Sequence, residues 1–401
     1  MNTPKANRKH IVFYGKRNAG KSSIMNSLIG QEVSLVSDIK GTTTDIVSKA
    51  VELIPFGPVV FVDTGGIDDV GPLGELRVGK AKKTLDIADL AIYVIDIQDL
   101  DGIDFELKKD FKIRDIPYII VINKIDLVSE DTLTKIKNKL KLVSKDKHIV
   151  YTSIDDAQSI EKLRAILIKG LETQDEDDIL IGDIIPYDGK ILMVIPLDKE
   201  APKGRLILPQ VQLIRDCLDH GIKSYVVRDT ELQSALKDLK DIDLVVTDSQ
   251  IFKYVGSIIP QDINLTSFSI IMAKQKGDLK EFINGINELN SLKEKDNPKI
   301  LIMESCSHNV SHEDIGRVKI PRVVNNLLGK EVHYDFAMGN DFPRNLVDYD
   351  LVIHCGSCML NKKTMINRIR ICKESGVPIT NYGMVLAHGA GILDRAIKVF
   401  I

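Results

Sequence analysis

The sequence has no apolar run long enough to cross a bilayer. Its longest, such as Ile191–Leu197 and Leu90–Ile97, fall far short of the about 20 residues that a spanning helix needs. It has no excess of either charge, with 54 basic against 57 acidic residues and a net charge of −3. No global basic field is therefore available to hold nucleic acid or an anionic membrane, and no basic stripe is interleaved with aromatics. There is no fixed-period repeat and no low-complexity tract. The polar lead from Met1 to His10 lacks the apolar region of a signal peptide, so the expected compartment is the cytoplasm, with no membrane and no nucleic-acid partner. Cysteine is scarce, five in all. In a reducing compartment a cluster of cysteines points to metal or redox chemistry before disulfides.

What is present suits a globular chain: 401 residues, 44% hydrophobic and 28% charged, enough for two or three domains. To about residue 170, strand-like runs at Ile11–Tyr14, Val59–Val62, Leu90–Ile95, Tyr118–Ile122 and Ile149–Thr152 alternate with helix-like stretches. That alternation predicts a parallel sheet covered by helices. The acidic stretch Glu172–Asp178, then Gly182, Pro186 and Gly189, reads as a linker. A second βα series runs from Ile191–Ile195 through a helix near Pro209–His220 to strands at Ile222–Val227, Leu244–Thr247 and near Leu265–Ala273. It carries no evident catalytic groups and reads as an assembly or scaffold part. A third series starts at Ile300–Met303, with later strands at Leu351–Ile353 and Val377–Thr380. Four of the five cysteines lie in this last part.

Gly15-Lys-Arg-Asn18-Ala19-Gly20-Lys21-Ser22 fits the G-x-x-x-x-G-K-[ST] phosphate loop, and it stands between a predicted strand and a predicted helix, as the motif requires. Its glycines let backbone N–H groups wrap phosphates, with Asn18, Ala19 and Ser23 in the same loop. Lys21 reaches the β- and γ-phosphates, and the Ser22 hydroxyl joins the Mg²⁺ shell. Further elements follow in order. Asp63-Thr-Gly-Gly66 ends a strand, so that Asp63 holds Mg²⁺ through water and the Gly66 amide senses the γ-phosphate. Asn123-Lys124-Ile125-Asp126 ends another, and the Asp126 carboxylate accepts from N1–H and N2–H₂ of guanine, a donor pair that adenine lacks. Tyr151-Thr-Ser-Ile154 is a divergent last guanine loop, in which the Ser153 amide would meet the base oxygen. Gly41-Thr-Thr-Thr-Asp45 supplies a switch threonine, Thr43 by preference, with Thr42 and Thr44 as alternatives in register. Ile67 stands where a water-orienting glutamine would be. Asp68, Asp69 and Glu75 are the acids that can orient the water instead.

Cys306-Ser-His308 and His354-Cys355-Gly-Ser-Cys358 each follow a predicted strand. Strand ends on one edge of a parallel sheet converge, so three thiolates and two imidazoles can face one point, with Gly356 permitting a tight turn. Three cysteines with a histidine suit zinc, and three cysteines with a labile fourth position suit a [4Fe–4S] cluster. Ligand chemistry leaves both open. Glu304, His312 and Glu313 are further nearby donors. Cys372 continues a helical stripe with Ile366 and Ile369, and Cys217 lies in a similar pattern; both read as core thiols. His333 and His388 read as structural.

Ile67 and the loop residue Asn18, beside the Gly41–Asp45 threonines, resemble the potassium-activated GTPase branch typified by TrmE, which implies that Asn18 is a K⁺ ligand. With the C-terminal C-x-H…H-C-x-x-C, and with Glu313–Pro321 and Gly391–Arg395 in support, the chain resembles HydF, the GTPase family that matures [FeFe]-hydrogenase. The resemblance implies a P-loop GTPase of doubly wound α/β fold followed by two smaller α/β domains with mainly parallel sheets. The expected division is a G domain at 1–172, a linker at 173–187, a dimerisation domain at 188–275 and a cluster domain at 276–401. It also implies GTP, Mg²⁺ and K⁺, a [4Fe–4S] cluster on Cys306, Cys355 and Cys358, and an exchangeable fourth ligand with His308, His354 and Glu313 as candidates. The implied role is to hold a precursor of the hydrogenase's diiron subcluster as a homodimer, receiving it from the radical-SAM maturases HydE and HydG and delivering it to the hydrogenase apoprotein. The competing expectations are a TrmE-like GTPase acting on RNA and a GTP switch with a structural zinc site.

Overall fold

A computed structural model describes residues 8–30, 35–39, 46–65, 79–100, 105–143, 149–173, 179–196, 206–305, 315–339, 342–343, 345–358 and 360–401. The chain forms two compact units, Met1–Glu176 and Asp177–Ile401.

The first unit is a seven-stranded sheet of β1 (Lys9–Tyr14), β2 (Leu35–Ile39), β3 (Val47–Leu53), β4 (Gly57–Asp63), β5 (Leu90–Asp96), β6 (Tyr118–Asn123) and β7 (Ile149–Thr152), in the order β2-β3-β4-β1-β5-β6-β7. From β4 to β7 all pairs are parallel. β3 pairs antiparallel with β4 on one side and with the edge strand β2 on the other, an addition to the all-parallel expectation. Alternation with period two decides the core. Ile11 and Phe13 pack on one face with the helices Lys21–Gly30 and Ala157–Glu172. Val12 and Tyr14 pack on the other with Leu107 and Phe111. A sheet buried on both faces reads as continuous apolar strands, as β5 and β6 do.

The second unit holds two four-stranded parallel sheets. One comprises β8 (Lys190–Ile195), β9 (Lys223–Arg228), β10 (Leu244–Thr247) and β11 (Asn264–Ser267), in the order β11-β10-β8-β9. The other comprises β12 (Lys299–Glu304), β13 (His333–Met338), β14 (Leu351–His354) and β15 (Ile379–Asn381), in the order β13-β12-β14-β15. Both are doubly wound, and the strand order reverses between β8 and β10 in one and between β12 and β14 in the other. Such reversal points open a crevice beyond the carboxyl ends of the strands.

Two expectations are corrected here. The apolar run Leu265–Ala273 is not one strand. β11 stops at Ser267, whose hydroxyl accepts from the Ile270 N–H (3.3 Å) and caps a helix over Phe268–Lys276. The expected linker to residue 187 is shorter, because Leu180, Ile181 and Ile185 are buried in a core with Leu213 and Cys217. The Asp216 carboxylate accepts there from the N–H groups of Leu180 (3.1 Å), Ile181 (2.9 Å) and Gly182 (3.0 Å). The two small parallel sheets stand as expected, and they share one apolar core that runs from Leu192 and Val245 through Ile270 and Phe282 to Ile302 and Ile353. The helix Leu279–Ser291 lies between them, buries Phe282, Ile286 and Leu289, and meets β15 so closely that a Cβ on Gly285 would lie 2.2 Å from the Ile379 carbonyl oxygen. Arg395 of the Gly391–Arg395 stretch donates to the carbonyls of Ile259 (3.3 Å) and Ile263 (2.9 Å), which ties the C-terminal helix to the loop before β11. Among the described residues no helix is long and apolar enough to cross a membrane.

Candidate functional site

The nucleotide motifs meet at the carboxyl edge of the seven-stranded sheet. After β1 the chain turns at Gly15, where φ is +145°. A Cβ on Gly15 would lie 2.2 Å from the Val94 carbonyl oxygen, and one on Gly20 would lie 2.2 Å from Asn123 Nδ2. Neither site tolerates a side chain without a shift of its neighbour. Asn18 takes a left-handed conformation with φ 62°. Lys21 is 5% exposed, and its ammonium donates to the carbonyls of Gly15 (2.9 Å) and Lys16 (2.8 Å). The helix that begins at Lys21, with Ser23 in its first turn, presents N–H groups that have no intrahelical partner. A buried cation beside a helix N-terminus is an anion site.

Ser22 Oγ donates to Asp63 Oδ2, which joins a hydroxyl and a carboxylate at the end of β4. Asp63 Oδ1 accepts from the Gly65 N–H (3.2 Å), and Thr64 is pinned to the Phe13 carbonyl through its hydroxyl (2.8 Å). Two hard oxygen donors fit Mg²⁺. Thr42, Thr43 and Thr44, along with Gly66, Ile67, Asp68, Asp69 and Glu75, lie outside the described residues.

Asn123 is buried. Its Nδ2 donates to the Ala19 carbonyl (3.0 Å), and its Oδ1 accepts from Thr152 Oγ1 (3.2 Å). It thus ties the phosphate loop to both guanine loops, a tertiary role that motif spacing does not reveal. Lys124, at φ 62°, pairs with Asp96 (2.6 Å), and this contact holds the turn that presents Asp126. With Ile125, Ser153 and Asp155, Asp126 lines an open cleft of about 340 Å³. Its acceptor-only carboxylate suits the paired donors of guanine. The Ser153 amide differs from expectation, because it donates to Ser159 Oγ (3.1 Å). The hydroxyl that takes it belongs to the following helix, and the amide is turned into the protein rather than left open for a base oxygen.

The cysteine motif sits where the order of the last sheet reverses. Met303 on β12 is in register with His354 on β14, and the Cys355 N–H donates to the Met303 carbonyl (2.8 Å). Just beyond, the Ser305 N–H donates to Cys355 Sγ (3.2 Å), and the Cys355 thiol donates to Ser305 Oγ (3.0 Å). The residue before Cys306 therefore touches the Cys355 sulfur. Burial pushes the Cys355 thiol up, and the Ser305 hydrogen bonds pull it part of the way back. The left-handed residue of the turn is Ser357, at φ 55°, whereas a Cβ on Gly356 would meet open space. The expected need for glycine at 356 is thus not what bends this loop.

Cys306, His308, His312 and Glu313 lie outside the described residues. Among the described residues no three His, Cys, Asp or Glu side chains converge as a metal site. The donor chemistry of the described part still fits a thiolate-held group, because Cys355 and Cys358 share one turn and Ser305 leads into Cys306 at the same crevice.

His354 is corrected as a fourth-ligand candidate. The ring is fully buried. Its Nε2 lies 2.7 Å from Arg368 Nη1, and because a guanidinium only donates, Nε2 must accept. Its Nδ1 then carries the proton and donates to the Cys355 carbonyl (2.9 Å). Both nitrogens are thereby used. Burial first, and then the Arg368 charge, push its pKa down to about 3, which keeps the ring neutral. Cys372 and Cys217 are buried core thiols, each pushed up to about 12 by burial. His388 bonds Asn290 Oδ1 through Nε2 (2.9 Å), and His333 lies 3.5 Å from Asp335 on the edge strand.

Comparison with known proteins agrees with this organisation. A family model described as hydrogen maturase F dimerization domain matches residues 180–277, and one described as hydrogen maturase F tetramerization domain matches 280–399. A third, described as a 50S ribosome-binding GTPase, matches 10–124. The tRNA modification GTPase MnmE of Desulfotalea psychrophila is 29% identical over 249 residues, 62% of this chain and 50% of that protein. The mitochondrial tRNA modification GTPase MSS1 of Saccharomyces cerevisiae is 35% identical over 172 residues, 41% of this chain and 32% of that protein. The chain thus spans half or less of the length of these relatives. A crystal structure of Era from Aquifex aeolicus aligns at 21% identity over 55% of this chain and 93% of that one, with a TM-score of 0.32. The two maturase models together take in more than half of the sequence, in order behind a GTPase domain. The chain belongs to the hydrogen maturase F family.

Proposed function

We propose that this protein hydrolyses GTP, carries an iron–sulfur cluster, and holds and delivers the diiron subcluster precursor of [FeFe]-hydrogenase. The observation that carries the reading is the meeting of Ser305 and Cys355 at the reversal between β12 and β14, in a chain that also bears the phosphate loop. Cys306, Cys355 and Cys358 are the thiolate ligands, and His308 or Glu313 supplies the exchangeable fourth. A cluster held by three thiolates keeps one iron position open to a bridging ligand of the incoming diiron unit. The protein's own part is to fix the cysteine turn, bury it and present the open side to partners. Those partners are the hydrogenase apoprotein and the radical-SAM maturases HydE and HydG, in the cytoplasm. Self-association of the second unit, which the matched models' descriptions suggest, makes the carrier a homodimer that pairs further into a tetramer. The GTPase domain serves as the switch on docking.

The test is transfer. Protein purified from cells that co-express HydE and HydG should activate apo-hydrogenase in vitro, read as hydrogen evolution. Failure of the fully loaded protein to do so, with a known family member active in parallel, would contradict the reading.

In the first unit, Lys21 and the helix N-terminus bind and orient the phosphates, Ser22, Thr43 and Asp63 hold Mg²⁺, and Asn18 holds K⁺. Hydrolysis is expected to run faster in K⁺ than in Na⁺, and Asn18→Ala is expected to remove the difference. Equal phosphate-release rates of the unmodified protein in the two salts would sink the K⁺ assignment.

A further inference from the structure

Two basic residues are buried against the cysteine turn. Arg368, on the helix Lys362–Glu374, is 3% exposed. It donates to His354 Nε2 (2.7 Å) and to the Gly339 carbonyl (2.7 Å), and its guanidinium lies 5.2 Å from the Phe342 ring centroid. Lys276 ends the helix Phe268–Lys276 and is 4% exposed. It donates to the carbonyls of Leu360 (3.0 Å) and Ser357 (3.4 Å). Each cation thus grips the backbone or ring of a residue adjacent to a cysteine, His354 before Cys355 and Ser357 before Cys358. Lys276 also belongs to the region matched as a dimerization domain, whereas the turn belongs to the region matched as a tetramerization domain.

We infer that Lys276 and Arg368 are positioning residues for the metal centre, which shape the Cys355–Cys358 turn and place positive charge beneath it, so that they stabilise the reduced state of a bound cluster. This rests on the reading that the three cysteines hold iron. Charge in a buried setting acts with little screening. Adding an electron to a thiolate-ligated cluster increases its negative charge, and net charge and hydrogen bonding are the levers that set such potentials. Cations too far from the cluster, or neutralised by their neighbours, would leave the potential where it is.

The test uses the whole protein, loaded anaerobically with iron and sulfide and titrated by EPR with dithionite as the one-electron donor. Lys276→Met and Arg368→Met are each expected to weaken the reduced state relative to the oxidised by about tenfold, a fall of about 59 mV in midpoint potential. Lys276→Arg and Arg368→Lys, which keep the charge, are expected to stay near the parent value. If the methionine variants take up no cluster, restoration of uptake in the charge-keeping variants supports the inference, and its loss there too overturns it. A parent that takes up iron, with methionine variants at its potential, overturns the charge role alone. A parent that takes up no iron overturns the metal-site reading beneath it.

Discussion

Lys21→Ala is expected to lower GTP turnover by about 10²–10³-fold, the range observed when a single preorganised charge-stabilising donor is removed. Lys21 is buried and already directed into the loop, with its ammonium on the Gly15 and Lys16 carbonyls. The cation therefore needs only to exchange carbonyl partners for phosphate oxygens when nucleotide enters. Because those same bonds curl the loop, the variant should also bind GTP more weakly. Lys21→Arg should not restore activity, since a planar fork does not fit a pocket shaped for a compact ammonium. Phosphate release at saturating GTP reads the effect directly. A variant within about twofold of the parent would mean that the loop does not carry the chemistry assigned to it.

Cys355→Ala and Cys358→Ala are expected to cost at least about tenfold in bound iron after anaerobic loading. Loss of an outer-shell partner alone costs 10–100-fold in metal affinity, and these residues are assigned as ligands themselves. Cys217→Ala and Cys372→Ala are the internal controls. Both thiols are buried in apolar surroundings and pushed up to about 12, so iron content should not change. His354→Gln separates the two roles of the motif. If His354 supports the turn through Arg368 and the Cys355 carbonyl, the variant should bind iron loosely but keep the spectral signature of the ligand set. A changed signature would return His354 to the ligands.

The parts legible in the sequence were those whose spacing is dictated by local geometry. The phosphate loop is legible because wrapping a phosphate demands glycine where Gly15 and Gly20 stand against Val94 and Asn123. The core strands are legible because burial on both faces leaves them uniformly apolar. What escaped depends on contacts made far away in the chain. β3 and the edge strand β13 carry charged residues and only partly bury their side chains, so no apolar run marks them. The helix Phe268–Lys276 was hidden inside an apolar run, and a single serine cap separates it from β11. The stripe assigned to Cys372 was right about Ile369 but not Ile366. The buried face is Met365, Ile369 and Cys372, while Ile366 is 37% exposed. Lys276, Arg368 and the bonded state of His354 left no trace at all, because a buried cation looks like a surface one until its neighbours are known.

The measurement closest to the central claim is an EPR spectrum of the full chain, loaded with iron and sulfide without oxygen and then reduced. The account predicts a brown protein with a paramagnetic cluster signal that is absent from Cys355→Ala. A colourless product, silent after reduction, would contradict it and leave a GTP switch without a cluster to govern.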